Sequence, residues 1–525
     1  FSPDLDSTVF TYPLQHQFMI SSIIVALVAS VVAYVTLKLL LYATQSGSEP
    51  SAISAKVPFL QPAIEMAKYK TDYFVNLRKK YNLPIYTLRV PFQRIYVVTA
   101  PRLIQAVQSK TNASTFVPTL LDFGMLFSGL NKKSKKILTT AYGAHGNGFT
   151  QSVHKYLSSG LDLQAATRTA VDKLSASIPN NLATPYQVGL LEVLRHQLTL
   201  AVTGAIYGPE NPYDDPTIEK SWLDFVPGIS HLLYSPFPWI TALKALKARA
   251  RVIKAFERYF ETGGHTQAFA MIPEMFNINT SHGLNLAEAA KLEMATSLAM
   301  LSSGAITLFW FLFHIVSDPT ILQECRQEVL NLASSKISTP TGIAKVVDLR
   351  DLKQKCPTLM AVWHETLRYH STVINIKKVQ HETTLSEQYH LRKDSILMIP
   401  GTAIHHDTET WGPSASTFNH TRFFTAEGRK KLSNTSAFRP FGAGVTMCPG
   451  RHFATNAVLS LAAMILLQYD VEPVEGQWKT PTTKNADMWN AMPKPDCDIP
   501  VRITRRSEDV SKTAWKFVWG TPCTA

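Results

Sequence analysis

Cysteine and charged residues are scarce in this chain of 525 residues, which contains 5 cysteines and 17% charged residues. The cysteines are too sparse for a disulfide framework. No Cys-x-x-Cys pair or zinc-type Cys/His spacing occurs either, which argues against a structural zinc site. No period of about 20 to 50 residues repeats along the chain. The hydrophobic share of 45% instead predicts a large buried core and excludes a disordered or collagen-like chain.

The charge balance is basic, with 52 Lys and Arg against 39 Asp and Glu and a formal net charge of +13. Such a balance suits nucleic acid, a membrane surface or an acidic protein partner. The basic residues are spread along the chain, and no nucleic-acid-binding motif occurs. We therefore expect a membrane or an acidic protein as partner, and no nucleic acid.

Residues 18–37 form a run of 20 residues without charge. At about 1.5 Å per residue, a helix of this length spans about 30 Å, the thickness of the hydrocarbon core. A cleaved signal peptide and a buried core helix are the alternatives. The signal peptide is disfavoured because the preceding segment contains Asp4 and Asp6 and no Lys or Arg. The run predicts a transmembrane anchor over residues 18–41.

Basic residues follow the anchor, so the positive-inside rule places the body of the protein in the cytosol. Residues 1–17 are then a short tail on the other side of the membrane. Residues 42–64 contain three prolines among small polar residues, which predicts a stiff linker. We interpret residues 65–525 as one continuous catalytic domain.

The body has mainly helical patterns, as in residues 241–260, where apolar residues recur three and four apart. A long helix is predicted over Leu286–Val316, because Asn285 can cap its start and Pro319 follows its end. A second membrane span is the alternative to a central core helix there, and small polar residues at mid-length favour the core helix. Strand patterns cover residues 373–400, so we predict a mainly α fold with a smaller β part.

The segment 231–240, HLLYSPFPWI, is apolar, aromatic and interrupted by proline. An ordinary loop between helices explains this composition. The alternative is a lipid-facing lip of a substrate channel, since basic residues at 244, 247 and 251 follow it and could contact headgroups.

Cys448 lies in a glycine- and proline-rich segment, FRPFGAGVTMCPGRHFA at 438–454, followed by a helix-like pattern. A thiolate at the start of a helix is stabilised by free N–H donors and by the positive end of the helix dipole. From these residues alone, a buried inert cysteine remains an alternative to a reactive or metal-bound one.

This segment resembles the haem-thiolate monooxygenases, the cytochromes P-450. Phe441, Gly444, Cys448 and Gly450 meet the family signature Phe-x-x-Gly-x-x-x-Cys-x-Gly. The resemblance implies haem b as cofactor, with the Cys448 thiolate as the axial metal ligand and the other three residues shaping the cofactor-binding loop. Such a thiolate favours cleavage of the O–O bond.

Two further matches occur in the family's order. Glu365 and Arg368 match its Glu-x-x-Arg motif, in which residues three apart share a helix face. Arg422 stands where the family has an arginine that joins this pair. The resemblance implies that these three residues support the haem loop.

The anchor and the proline-rich segment after it are typical of microsomal members, and stretches such as NIKKVQHETTL resemble the branch of sterol 7-hydroxylases and prostacyclin synthase. The implied fold is that of a cytochrome P-450, one large catalytic domain behind a single-pass anchor in the endoplasmic reticulum membrane. The implied activity is oxidation of a lipophilic substrate, such as a sterol, terpenoid or fatty acid. It would use O2 and electrons from an NADPH-cytochrome reductase.

The sequence departs from the family where most members have an acid-threonine pair for proton delivery. Ser302 and Ser303 occupy those places, counted back from Pro319. We take both as candidate catalytic residues. Ser303 keeps a hydroxyl at the position of the family's threonine, whereas Ser302 cannot act as the carboxylic acid that it replaces. Two alternatives therefore stay open. One is an isomerase or dehydratase that acts on a peroxide without a reductase. The other is a haem- or lipid-binding membrane protein without turnover.

The cations expected to bind the haem propionates are also unusual. Thr446 stands where many relatives have arginine, and Lys377 matches a position that usually carries arginine. His154 and Lys155, on an early helix, are further candidates. A plain surface charge is the alternative for each of these cations.

Overall fold

The computed structural model of the chain describes residues 12–109, 114–115, 124, 127–145, 148–181, 186–235, 237–339, 342–444, 447–506 and 514–520. Thr446 and residues 1–11 of the expected tail lie outside these ranges. The α-helices of the described residues, numbered α1 to α21 in chain order, are Tyr12–Thr44, Leu60–Tyr81, Pro101–Ser109, Lys132–His145, Gly148–Leu157, Leu161–Asn181, Leu190–Tyr207, Pro216–Phe225, Ile229–Tyr234, Pro238–Thr241, Leu243–Glu261, Met271–Ser281, Leu286–Leu301, Gly304–Val316, Pro319–Leu330, Leu352–Lys355, Pro357–His370, Gly401–His405, Thr408–Trp411, Ala426–Leu432 and Arg451–Gln468.

Short 3-10 helices connect several of these elements, at Gly208–Glu210, Pro212–Asp214, Val226–Gly228, Gly264–Gln267, Leu349–Asp351 and His420–Phe424. The strands, numbered β1 to β13, are Ile85–Val90, Gln93–Val98, Ser114–Thr115, Tyr186–Gly189, Ala333–Thr339, Gly342–Asp348, Ile374–Val379, Thr383–Leu385, Tyr389–Leu391, Ile396–Pro400, Tyr469–Pro473, Pro500–Arg505 and Ala514–Val518. The mainly α prediction with a smaller β part is confirmed.

The largest sheet has the strand order β1-β2-β10-β7-β3. Strands β1 and β2 form an antiparallel hairpin, β10 pairs with β2 in parallel, and β7 pairs with β10 antiparallel with Leu397 opposite Lys377. Residues 373–400 thus form strands as predicted. The remaining strands form two three-stranded sheets and a two-stranded hairpin. The largest sheet places β7 beside the segment that carries Cys448.

The central helix differs from the prediction in one respect. Asn285 caps it as expected, with its Oδ1 accepting from the Glu288 backbone N–H at 2.9 Å. The helix is interrupted at Ser302 and Ser303, so α13 ends at Leu301 and α14 begins at Gly304. Nearly all of α14 is buried, and it packs against α7, α15, α17 and α21. This burial agrees with a core helix, although Leu286–Val316 is long and apolar enough to span a bilayer.

The N-terminal helix α1 includes the predicted anchor. Its segment Ser22–Thr44 also has the length and composition of a membrane span, and none of its most apolar window is buried in the protein. Apolar side chains such as Val25 and Val31 are exposed along it. A helix with this surface favours an apolar environment, and the other described residues do not cover it.

The segment after the anchor is bound to the largest sheet, whereas the sequence predicts a separate linker. Ala52 bridges Thr87 of β1, and the Thr87 side chain donates to the Pro50 carbonyl at 2.5 Å. The carbonyl of Thr44, at the end of α1, accepts from Arg94 at 2.7 Å. Backbone pairing that proline content did not indicate therefore joins the anchor to the body.

Glu49 is the centre of this attachment, and its side chain is fully buried. Its carboxylate pairs with Arg94 at 2.9 Å and with Arg392 at 2.8 Å. Tyr96 donates to the same carboxylate at 2.8 Å. A buried carboxylate with two cations and a hydroxyl has its hydrogen bonds satisfied, so it fixes the chain at this point.

We expect Glu49→Gln to lower the free energy of unfolding by about 2 to 3 kcal/mol, because the two arginines lose their counter-charge in a buried place. Cleavage by trypsin after the exposed Lys56 should become faster as the segment detaches. Glu382→Gln is the control, since this exposed carboxylate pairs only with His390 at 3.8 Å. Equal stability and equal cleavage in the Glu49 variant and the wild type would contradict the assigned attachment.

Candidate functional site

Cys448 lies at the end of a tight loop that turns into helix α21. Its backbone N–H donates to the Phe441 carbonyl at 2.8 Å, and the Met447 N–H donates to the Gly444 carbonyl at 3.0 Å. Gly442 and Gly444 have φ angles of 76° and 59°, a region that glycine adopts without strain. The shape of the loop thus requires glycine at Gly444 of the signature and at its neighbour Gly442, whereas Gly450 has a φ of −84° that other residues also adopt.

The sulfur of Cys448 faces the start of α21. Burial raises the pKa of the Cys448 thiol, whereas the backbone N–H groups of Gly450 and Arg451 and the positive charge of Arg451 oppose this change. The Arg451 guanidinium donates to the Cys448 carbonyl at 3.1 Å. Donors at a helix start favour the anionic form of sulfur, the form that binds metals. Burial has the larger effect on this pKa, so the loop supplies donors that would stabilise a thiolate once a bound metal ion offsets the burial.

Glu365 and Arg368 form a fully buried ion pair on helix α17. Two nitrogens of Arg368 donate to the two carboxylate oxygens of Glu365, each at 2.7 Å. The remaining donors reach the carbonyls of His405 at 2.6 Å, Ala415 at 2.8 Å and Thr417 at 3.1 Å. Arginine has the planar set of donors that this arrangement needs, so the pair ties two chain segments, at His405 and at 415–417, to one helix.

Arg422 joins this pair, with its Nε at 3.3 Å from the Glu365 carboxylate. It also donates to the Trp411 carbonyl at 3.0 Å and to the Ser414 hydroxyl at 2.9 Å. The Asn419 backbone N–H supplies a further bond to Glu365, at 2.7 Å. We call Glu365, Arg368 and Arg422 the Glu–Arg cluster. One carboxylate thus contacts two guanidiniums, whose other N–H groups bind mainly backbone carbonyls.

The Glu–Arg cluster is connected to the Cys448 loop through His405. The His405 carbonyl accepts from Arg368, and its ring Nε2 accepts from the Arg439 backbone N–H at 3.0 Å. Its ring also lies 6.0 Å from that of Phe438. The cluster therefore determines where the loop begins.

The comparisons with known proteins agree with this site. A family model described as cytochrome P-450 matches residues 277–496, which include Cys448 and the Glu–Arg cluster. The chain is 28% identical to the cytochrome P-450 monooxygenase nodJ of Hypoxylon pulicicidum, over 89% of this chain and 92% of that protein. It is 28% identical to a cytochrome P-450 monooxygenase of Gibberella zeae, over 92% and 95%. The cholesterol 7-alpha-monooxygenase of Cricetulus griseus is 30% identical over 39% of this chain and 43% of that protein.

Residues 277–496 of the chain form a cytochrome P-450 domain. The chain is a haem-thiolate monooxygenase, an oxidoreductase. The match to a sterol 7-hydroxylase agrees with the branch that the sequence wording predicts.

Ser302 and Ser303 lie at the interruption between α13 and α14 of this cytochrome P-450. The Ser303 hydroxyl donates to Asn490 Oδ1 at 2.8 Å, and Asn490 Nδ2 donates to the Ser302 carbonyl at 3.2 Å. Thr307 returns a bond to the Ser303 carbonyl at 2.8 Å. Asn490 thus binds the Ser302 carbonyl, which an uninterrupted helix would pair with a backbone N–H four residues on, and this contact accompanies the division of the predicted long helix.

Lys377 lies on β7 and is 6% exposed. Its Nζ donates to the Val107 carbonyl at 3.2 Å. Burial lowers the pKa of Lys377, and the nearby charge of Arg439 lowers it further. Among the described residues no carboxylate forms an ion pair with Lys377. Lys377 is thus a buried cation next to the Cys448 loop and lacks an anion in the described part of the chain. It could pair with a carboxylate of a haem, just as the sulfur could bind the haem iron.

The structure does not place His154 or Lys155 with these residues. His154 Nδ1 is 2.9 Å from the Ser158 hydroxyl on the same helix. Lys155 is 58% exposed and forms an ion pair with Glu274, which also accepts from Tyr156 at 2.6 Å. The charge of Lys155 is therefore balanced by Glu274.

Sequence reasoning missed two polar residues of this site, Asn490 and Arg439. Asn490 falls in MWNAM at 488–492, and an asparagine in a loop carries no signal for a contact 187 residues away. Arg439 lies inside the recognised segment but outside the family signature. Arg439 differs from the surface arginines because only 1% of it is exposed. The sequence alone does not indicate that a single arginine is buried.

A pH dependence of stability follows from His406 beside the Glu–Arg cluster. Its Nε2 donates to the Tyr369 carbonyl at 2.9 Å, and burial lowers the pKa of His406 to about 4 from its ordinary value of 6.5. Below pH 6.5 the unfolded chain gains a proton there that the folded chain does not. His406 therefore lowers stability as the pH falls from about 6.5 to about 4, by up to about 1.4 kcal/mol per pH unit.

His406→Gln keeps a donor for the Tyr369 carbonyl and removes this titration. We expect its free energy of unfolding, measured in urea at several pH values, to fall less steeply than that of the wild type between pH 6.5 and 4.5. His381→Gln, at an exposed position, should keep the wild-type slope. Parallel pH curves for the His406 variant and the wild type would show that this ring titrates alike in both states.

Proposed function

We propose that this chain is a membrane-anchored monooxygenase that oxidises a lipophilic substrate with electrons from an NADPH-cytochrome reductase. The observation that carries the proposal is the position of Cys448 at the start of α21, on a loop that the Glu–Arg cluster holds. The named activity of the Cricetulus griseus relative concerns cholesterol, which supports a sterol-like substrate here. The membrane is the source of such a substrate.

Cys448 would hold the haem iron, and the bound haem supplies the activation of O2 and its transfer to a C–H bond. Phe441, Gly444 and Gly450 shape the loop around the sulfur. The Glu–Arg cluster keeps this loop in place without touching the cofactor. A fixed loop matters because the electron donation of the thiolate depends on its distance and hydrogen bonds.

Ser303 is the hydroxyl closest in position to the family's proton-delivering alcohol. Its proton is donated to Asn490 Oδ1, so delivery toward the haem requires this hydroxyl to rotate away from Asn490. Ser302 supplies a second hydroxyl, 3.5 Å from that of Ser303. We propose that both serines orient water and that Asn490 restrains them, since no carboxylic acid stands at position 302.

Electrons would arrive at the cytosolic side of the protein. The net charge of +13 favours association with an acidic partner, and Arg451 lies next to the sulfur on this side. The same charge favours anionic lipid headgroups. We therefore propose the endoplasmic reticulum membrane as location, with residues 65–525 in the cytosol.

The test is turnover by the full-length chain in membranes, with and without NADPH and a cytochrome reductase. We expect a sterol- or fatty-acid-like substrate to gain one oxygen atom only when both are present. Cys448→Ala should abolish the thiolate-type carbon monoxide spectrum, because the axial sulfur is lost. Arg429→Ala, at an exposed arginine of α20, is the control and should keep the wild-type spectrum.

Two results would contradict this proposal. Conversion of a hydroperoxide without any electron donor would support the isomerase alternative. Ligand-induced spectral changes without product, in the presence of the reductase, would support a binding protein without turnover. An unchanged spectrum in Cys448→Ala would remove the assignment of the axial ligand itself.

A second membrane contact is proposed at the predicted lip. Phe237, Trp239, Ile240 and Leu243 are exposed by 54%, 60%, 68% and 50%. The rings of Phe237 and Trp239 pack at 5.6 Å, so the side chains form one apolar patch. Lys244 follows directly but pairs with Asp224 at 2.7 Å, whereas Lys247, one turn further along the helix, is exposed and suits lipid headgroups. Substrate entry from the bilayer would pass near this patch.

Replacing Trp239 and Ile240 by Ser should weaken membrane binding of a chain that lacks residues 1–44, because apolar area leaves the interface. We expect a lower fraction bound to phospholipid vesicles in a flotation assay. Val474→Ser, at another exposed apolar position, is the control. Equal flotation of the patch variant and its parent would show that this surface stays in water.

A further inference from the structure

Two cations next to the Cys448 loop are buried without a carboxylate. Arg439 is 1% exposed and Lys377 is 6% exposed. Within the described ranges, neither side chain forms an ion pair with Asp or Glu. Burial lowers the pKa of Arg439 to about 10, and the positive charges of the two residues repel each other. Two positive charges buried close together require a negatively charged group nearby.

Both cations have donors left over. Arg439 uses Nε and Nη2 on Asn375 Oδ1, at 3.1 Å and 2.6 Å, and Nη1 on the Thr435 carbonyl at 3.3 Å. Arginine has five N–H groups, so two remain. Lys377 uses one of its three on the Val107 carbonyl. The acceptors they have are neutral oxygens, which do not balance the charge.

A third donor in the same place has no partner. Gln108 Nε2 is buried and forms no hydrogen bond with any residue that the structure describes, while Gln108 Oε1 accepts from the Thr435 hydroxyl at 3.4 Å. Buried amide nitrogens in folded proteins are nearly always paired. This amide therefore indicates an acceptor that binds from outside the chain.

The three donors meet at the loop that carries Cys448. Gln108 Cγ lies 4.0 Å from the point where a Cβ on Gly444 would stand. Asn375 and Lys377 are two residues apart on β7 and so face the same side of the strand. Arg439 contacts Asn375 and stands five residues before Gly444. The donors are thus on the cysteine side of the largest sheet.

We propose that Arg439, Lys377 and Gln108 together bind the two propionate carboxylates of the haem. Arg439 would supply the cation that the sequence lacks at position 446. The proposal rests on the proposed function, because it requires haem at Cys448. Lys377 corresponds to a position where the family carries a cation, whereas Arg439 and Gln108 follow from their burial and unused donors in this chain.

The experiment is a comparison of haem with its dimethyl ester, in which both carboxylates are masked. The full-length protein is loaded with either group, and the rate of its transfer to excess apomyoglobin is followed by absorbance. The wild type should release the ester at least about tenfold faster than haem, since each lost charged hydrogen bond costs a factor of this order. The Arg439→Gln, Lys377→Gln double variant should release both at rates within about twofold of each other.

Three further variants separate binding from stability. Arg439→Lys keeps the charge and should recover much of the slow release of haem. Gln108→Leu removes the unpaired amide N–H and the acceptor of the Thr435 hydroxyl but keeps both cations, and it should accelerate release of haem by about threefold, more than release of the ester, whose carbonyls are weaker acceptors than carboxylates. Arg326→Gln is the control. Arg326 likewise binds backbone carbonyls, of Leu466 and Tyr469, but on helix α15.

Full discrimination between haem and ester in the double variant would overturn the proposal. If that variant does not fold, the same reading applies to Gln108→Leu, which keeps both cations. The outcome for the proposed function is separate. A wild-type protein without bound haem, or with haem whose spectrum survives Cys448→Ala, would end the proposed function. Loss of discrimination with an intact thiolate spectrum would support both.

Discussion

The Glu365 carboxylate, fully removed from water, holds two guanidiniums and a backbone N–H at once. The attraction between Glu365 and Arg368 alone does not offset the free energy needed to remove both charges from water. The pair instead fixes the positions of the chain segments that it binds. Arg368 donates its remaining hydrogen bonds to three carbonyls, and Arg422 donates to two further residues. A region with little regular secondary structure is thereby fixed, and the Cys448 loop begins from it.

The site accommodates buried positive charge in two different ways. The Glu–Arg cluster has a net charge of +1 but shares it over many carbonyl acceptors. Arg439 and Lys377 have neutral acceptors and a net charge of +2 within the described residues. The first arrangement is complete within the chain. The second becomes complete only when a dianion is present, so binding of the cofactor and stability of this part of the fold are linked.

Much of the fold was predictable, for identifiable reasons. Helix α21 covers residues 451–468 as its pattern indicates, and the strands over 374–400 follow alternation between turn residues. Spacing also identified Cys448, Glu365, Arg368 and Arg422, because the family's motifs are local. The interruption at Ser302 and the attachment of Glu49 were not predictable. Each depends on a partner far along the chain, Asn490 in one case and Arg392 in the other.

The attachment at Glu49 also has a mechanical consequence. Thr44 ends the anchor helix and Glu49 is fixed to the sheet five residues later, so few bonds remain about which the two parts could swivel. A mismatch between the anchor and the local bilayer thickness is usually relieved by tilting of the helix. Here such a tilt would carry the whole catalytic body with it. Lipid composition could then alter how deeply the apolar patch dips into the headgroups, with no ligand involved.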